Sequence, residues 1–262
     1  MFLEISLVSA PFVGGRYLGK KDPKHDPRTY HLGRVLAVRL PAVPAERDWS
    51  QNVPYQMWGN DRFGCCAFAA HAALVATWTK AAQGLVMLST ETVLQNYALV
   101  TGFVPATGAN DDGTILLDEL NAWRRDGLHR PGQTLDYLTA YGAIVPTDVQ
   151  GIKRAIAYLG GVLAGVQVPQ AFLDLGLGET WDWDAISDHT PAGGHAIALV
   201  GYNPAGVFFN TWGARTFMPW ATFTRISDEA YGLLSRQNWL GVPGTAPTGE
   251  DFDALLTEMR AA

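Results

Sequence analysis

Two cysteines are all that a chain of 262 residues contains, and they stand side by side at 65 and 66. Neighbouring thiols can close only a small, strained ring, so a disulfide framework is excluded and the count fits a reducing compartment. Positive charge is also scarce. Nineteen Lys and Arg against 25 Asp and Glu give a net charge of -6, and with no basic surplus to neutralise phosphates no nucleic-acid partner is expected. No stretch reaches the roughly 18–20 apolar residues of a membrane span, so no membrane partner is expected either. The first residues, MFLEISLVSAPFVGG, are apolar but carry Glu4 and lack a basic lead. They read as a strand or docking segment, with a signal peptide as the lesser alternative. The expected location is cytoplasmic, not secreted. Charged residues make up only 17% and apolar ones 48%, the balance of a well-buried globular protein.

What is present is periodicity that changes halfway along. Residues 66–82 form an Ala-rich apolar run that Gly84 stops, which predicts a helix. A second helix is expected over 88–102, with Ser89 as N-cap and Gly102 past its end. Further helices are expected over 111–127, closed by Gly127, and over 147–160, capped by Thr147 or Asp148. Residues 161–168, 195–203, 207–213 and 217–226 then read as strands, with NPAG as a hairpin turn between the second and third. A helical half followed by an antiparallel half defines an α+β fold of two lobes with a cleft between them. The expected divisions are an N-terminal extension over 1–46, a helical lobe over 47–140, a β lobe over 141–242, and a linker with a short helix over 243–262. The basic, turn-rich stretch after residue 15 reads as an exposed lead-in. The extension and the C-terminal helix are the places where a protein partner would dock.

A thiol gains nucleophilicity when its pKa falls, and the first turn of a helix lowers it through free N–H groups and the helix dipole. The cysteine pair stands at such a point. His195 heads a strand and Asn210 lies on the returning strand of the same hairpin, so the turn at 203–206 brings them back together. A general base needs a neighbour that fixes its ring, and an Asn oxygen can serve. Gly193 and Gly194 leave space beside the imidazole. His71 reads as a core or surface residue. His25, His31 and His129 belong to no constellation. His189 near Asp184 and Asp188 is too weak a set to argue for a metal, so neither metal nor cofactor is expected. Trp181 and Trp183 are placed on a loop at the cleft rim.

Taken in order, these segments resemble the papain-like cysteine peptidases over roughly residues 40–215. LPAVPAERDWS resembles the start of the mature enzymes, and GNDRFGCCAFAA stands where they carry Gln-Gly-x-Cys-Gly-Ser-Cys-Trp-Ala-Phe. LSTETVLQNY, DDGTILLDELNAWRRDGL and GIKRAIAYLGGVLAGVQV are similar to the segments that follow. GGHAIALVGY and FFNTWG match the His and Asn-Ser-Trp-Gly motifs. The GNDRxGxC wording resembles short forms of bacteria and bacteriophages, which adds a virion-associated location to the cytoplasmic one.

The resemblance implies hydrolysis of a peptide or protein amide bond by a Cys-His-Asn triad through an acyl-thioester. In the family an amide side chain six residues before the nucleophile donates to the oxyanion. Counting back from Cys66 gives Asn60, and from Cys65 gives Gly59, which has no donor. CCAF aligned from Cys65 fits the family wording better, so Cys65 stays open as the alternative. The implied site is Cys66, His195, Asn210 and Asn60, with the Cys66 N–H in the oxyanion hole and Gln56 as fallback donor. Trp212 would shield the His195–Asn210 contact, and Gly194 would support the site. Ala67 replaces the family's Trp, which keeps a second function open: a weakly active or inactive structural or binding protein on this fold, such as a phage virion component. A third is a transglutaminase-like or deamidating enzyme.

Overall fold

The computed structural model describes residues 15–132, 134–240, 246–249 and 251–261. The expected strand or docking segment over 1–14 lies outside them. Helix α1 (Leu32–Arg39) and the two-residue strand β1 (Arg47–Asp48) lead to α2 (Cys66–Ala82), α3 (Thr90–Thr101) and α4 (Leu116–Arg125). A hairpin of β2 (Leu128–Arg130) and β3 (Thr134–Asp136) follows, then β4 (Ala140–Ala143), α5 (Val149–Leu159), β5 (Val162–Pro169) and α6 (Gln170–Asp174). The chain continues through β6 (Pro191–Tyr202), β7 (Gly206–Thr211), β8 (Ala214–Pro219), α7 (Trp220–Ile226), β9 (Ser227–Leu234), α8 (Arg236–Trp239) and α9 (Phe252–Ala261). The strands from β4 onward form one antiparallel sheet in the order β4-β9-β5-β6-β7-β8, and β1 adds to β6.

The two halves meet along α2. A helix apolar on every face must be buried on every face, and α2 is buried from Cys66 through Phe68 and from Ala70 through Thr79. Its small alanines let it lie against β6, β5 and β7 while α3 and α4 pack on its other side. The capping signals act as their chemistry requires. The Ser89 hydroxyl accepts the Thr92 N–H, the Asp148 carboxylate accepts the Gly151 N–H, and Gly102 and Gly160 close their helices in the left-handed region at φ 79° and 80°.

Three expectations are corrected, and one strand was not expected. The helix expected over 111–127 starts only at Leu116. Asp111 is engaged at long range instead, its carboxylate accepting the Gly64 N–H at 2.9 Å and the Tyr97 hydroxyl at 2.8 Å. The strand expected over 217–226 ends at Pro219, and Trp220–Ile226 is helical. Proline has no N–H for a ladder and suits the first turn of a helix or an edge strand, which β8 is. Strand β9, between β4 and β5 in the sheet, went unread because its first residues, Ser227, Asp228 and Glu229, are polar. The lead-in is not uniformly exposed: Arg16, Leu18 and Lys20 are buried. The C-terminal α9 docks on α1 and buries Leu255 and Leu256 in the body.

Candidate active site

Cys66 opens α2, with Cys65 as the preceding cap residue and no acidic side chain in the first turn. The Ala196 N–H, one residue beyond His195 on β6, points at the Cys66 sulfur, so the thiol and the imidazole strand lie together. The Cys65 thiol is directed elsewhere, to the Trp58 carbonyl at 3.6 Å. Burial pushes both thiols up. Cys66 reaches about 11, with the Ala196 and Gly19 N–H groups working in the opposite direction, and Cys65 rises well above the usual thiol range.

The His195 ring lies on Trp212, centroids 4.4 Å apart and planes 23° from parallel. Trp212 reaches this position through strain. It and Gly213 form the two-residue turn between β7 and β8, both with positive φ, 45° and 72°. Such a turn favours Asn-Gly or Gly-Gly, and a bulky residue there costs on the order of 1–3 kcal/mol. The His195 Nε2 lies 2.7 Å from the Thr211 hydroxyl, and its Nδ1 has no hydrogen-bond partner. Burial alone draws the His195 pKa down to about 3. Between these two values the site holds a neutral thiol and a neutral imidazole.

Asn210 departs from its expected place. Its Nδ2 donates to the Ala214 carbonyl at 3.1 Å and closes the hairpin, while the adjacent Thr211 holds the histidine. Neighbouring residues of a strand face opposite ways, so a shift of one residue exchanges an amide for a hydroxyl. A bulge at Val200 of β6 lies within this pairing. Asn60 is buried and its amide is engaged. The preceding turn carries positive φ at Trp58 and Gly59, and the Asn60 Nδ2 donates to Phe63 in its own loop and to the Tyr17 carbonyl, at 2.9 and 3.0 Å. Gln56 is exposed and lies with its backbone against Gly213.

Tyr17 belongs to a feature the sequence did not disclose: residues 16–21 thread the cleft as an extended strap. The Tyr17 N–H donates to the Asn60 carbonyl, the Tyr17 carbonyl accepts from Asn60 and Trp212, and Arg16 sits over the Trp212 ring. The Gly19 and Lys20 N–H groups donate to the Gly194 carbonyl at 3.2 and 3.0 Å. On the opposite wall, the Thr114 N–H donates to Gly19 and the Lys21 N–H to Thr114, at 2.7 and 2.9 Å. A Cβ on Gly194 would collide with the Lys20 carbonyl, and one on Gly113 with the Gly19 carbonyl. The space predicted beside the imidazole is therefore filled by peptide backbone. The strap buries Leu18 and Lys20, and Cys66 and His195 beneath it are each 1% exposed.

Among the other histidines, His71 is buried against Trp123 and His189 contacts the Trp183 carbonyl. Trp181 is a buried residue packed on Phe172, Phe209 and Trp212. Among the described residues no cluster fit for a metal occurs, and no helix is long and apolar enough to cross a membrane.

A buried helix with a cysteine at its first turn, packed on an antiparallel sheet that carries a histidine, belongs to a fold that solved cysteine proteases share. Xylellain, a cysteine protease from Xylella fastidiosa, aligns over 83% of this chain and 96% of its own, at 18% identity and a TM-score of 0.65. The Carica candamarcensis cysteine protease CMS1MS2 in complex with E-64 covers 74% of this chain and 99% of its own, at 16% identity and a TM-score of 0.55. Procathepsin B S9 from Trypanosoma congolense covers 84% and 87%, at 12% identity and a TM-score of 0.55. At these identities the likeness is one of fold. No protein-family profile and no curated protein sequence matches the chain.

Proposed function

We propose that the protein is a cysteine peptidase held latent by its own strap. The observation that carries this reading is that the cleft already grips an extended peptide with the groups amide hydrolysis needs: the Asn60 amide on a peptide carbonyl, and Gly194 and Thr114 on the flanking backbone. With a substrate in place of the strap, His195 Nδ1 takes the Cys66 proton and the sulfur attacks the scissile carbonyl carbon. The Asn60 amide and the Cys66 N–H stabilise the oxyanion. Collapse breaks the C–N bond as the imidazolium protonates the leaving amine. Water, deprotonated by His195, then cleaves the thioester and returns the proton to sulfur. Thr211 holds Nε2 throughout, and Trp212 shields that contact.

Leu18→Asp places a charge where the strap is buried and unseats it without touching these groups. The full chain with this substitution should hydrolyse a fluorogenic peptide-amide library, and adding Cys66→Ala should abolish turnover. One observation favours a second reading, a papain-fold scaffold without turnover: the strap encloses Cys66 and His195 completely. If Leu18→Asp makes Cys66 reactive to iodoacetamide at pH 7 yet no peptide is cleaved, the scaffold reading takes first place.

A further inference from the structure

The Lys20 side chain descends from the strap into a pocket of opposite charge. Its side chain is 0% exposed, and its ammonium lies 2.9 Å from Asp228 Oδ2 and 3.3 Å from Glu229 Oε1, both at the start of β9. It donates a further hydrogen bond to the Lys21 carbonyl at 3.0 Å. The pocket is built for this occupant. Gly165 on β5 forms its wall, and a Cβ there would collide with the lysine stem and with Glu229. The carboxylates are held from behind: the Gln167 amide donates to Asp228 at 2.7 Å and the Tyr231 hydroxyl to Glu229 at 2.9 Å.

Two acidic side chains face one ammonium, so the lysine leaves part of their hydrogen-bonding capacity unmet. Asp228 Oδ1 and Glu229 Oε1 are buried and make no hydrogen bond even with the lysine seated. Once the strap leaves, both carboxylates lose their cation. A buried carboxylate without a partner is costly, and one facing an apolar or acidic side chain more so. A second lysine replaces what was lost, and a guanidinium supplies five donors to oxygens that a lysine leaves unsatisfied.

We infer that the Asp228–Glu229 pocket is the specificity pocket of the cleft and selects peptides carrying arginine or lysine, the Lys20 side chain being its tethered occupant. This rests on the peptidase reading above. The lysine enters from the strap's own backbone, which Gly194 and Thr114 hold on either side. A substrate held by the same two walls would set one side chain over the same pocket.

The test uses the full chain carrying Leu18→Asp, which unseats the strap, together with Lys20→Ala, or with Lys20→Met where the alanine variant does not fold. A positional library of fluorogenic peptide amides should show one position at which Arg and Lys exceed Leu and Phe at least tenfold in kcat/KM. Glu229→Gln in the same background should lower kcat/KM for the basic peptides and spare the neutral ones. Preference for apolar residues there, or a basic preference that Glu229→Gln leaves untouched, overturns the inference. A second measurement needs no turnover: protection of Cys66 from iodoacetamide by uncleaved Arg- and Leu-containing peptides. Protection by the Arg peptide at tenfold lower concentration supports the pocket even where no peptide is cleaved, in which case the peptidase reading alone falls. Equal protection by both overturns the pocket.

Discussion

His71 and His195 are buried to the same degree, and each lies with its ring stacked on a tryptophan. Their nitrogens meet opposite surroundings. The His71 Nδ1 is 3.6 Å from Glu119 and its Nε2 is 4.0 Å from Asp136, so a carboxylate brackets the ring on each side. Asp136 is fixed in turn by the Asn238 amide at 2.8 Å. His195 has a hydroxyl on one nitrogen and nothing on the other. The difference shows what separates a core histidine from a reactive one in this molecule. Burial is common to both, and so is the aromatic platform. A ring set between two carboxyl groups has an acid facing each nitrogen, whereas a ring held at one nitrogen by a hydroxyl keeps the other for exchange.

The largest effect that can break this comparison is catalytic. In the Leu18→Asp background, His195→Ala should lower peptide turnover by about 10²–10⁴, the usual worth of a positioned general base. His71→Ala should leave turnover per folded molecule unchanged. If His71→Ala in folded protein cuts turnover as deeply, the distinction between the two rings is lost. Next comes stability, where the roles exchange. His71→Ala leaves the buried Glu119 carboxyl without its neighbour and should cost about 1–3 kcal/mol in urea unfolding. His195→Ala should cost less, because the Thr211 hydroxyl it frees is the only polar group it strands.

The third effect depends on pH. The closed strap holds His195 neutral, with its pKa near 3, against about 6.5 for a solvated imidazole. The open form therefore binds the extra proton, and acid favours opening. The closed state is fully favoured above about pH 6.5 and loses ground as pH falls from there toward 3, by up to about tenfold per unit. Hydrogen exchange at the Gly19 and Lys20 amides, corrected for intrinsic rates, should show this between pH 7 and pH 5, and His195→Gln should flatten the response. At the alkaline end the thiol near 11 should keep wild-type Cys66 slow toward iodoacetamide at pH 8. The smallest effect sharpens the assignment of the ring's partner. Thr211→Val should lower kcat about tenfold, while Asn210→Ala should cost about 1 kcal/mol of stability and change kcat less than threefold. The reverse order would show that the open form returns the histidine to Asn210.

Much of this was legible in the sequence, and what was not has a common cause. Cys66 at a helix start and His195 on a strand were readable because local grammar fixes them, a helix start and a period of two, whereas Trp212 was read into the strand over 207–213 and stands instead in the turn after Thr211. The α2 and α5 boundaries were readable for the same reason. Asn210 was placed on the right strand but on the wrong side of the pairing, since register depends on contacts between strands. The strap was missed because RYLGKK looks like any solvated basic stretch until the cleft walls are known. Gly113, Gly165 and Gly194 come from distant parts of the chain, and only their convergence makes room for it. Asp228 and Glu229 were overlooked for the complementary reason: acidic residues at a strand start read as surface until a lysine is found between them.

The strap is joined to α1 by residues 22–31, of which 22–25 are exposed. A ligand on so short a leash competes at an effective concentration on the order of millimolar, whatever the amount of protein present. Mass action by a free substrate at micromolar levels cannot dislodge such an occupant. Severing the leash changes the order of the reaction: the same residues become a separate peptide that dilutes away and returns only in a bimolecular encounter. One cut in the exposed stretch thus turns a concentration-independent block into one that fades with volume.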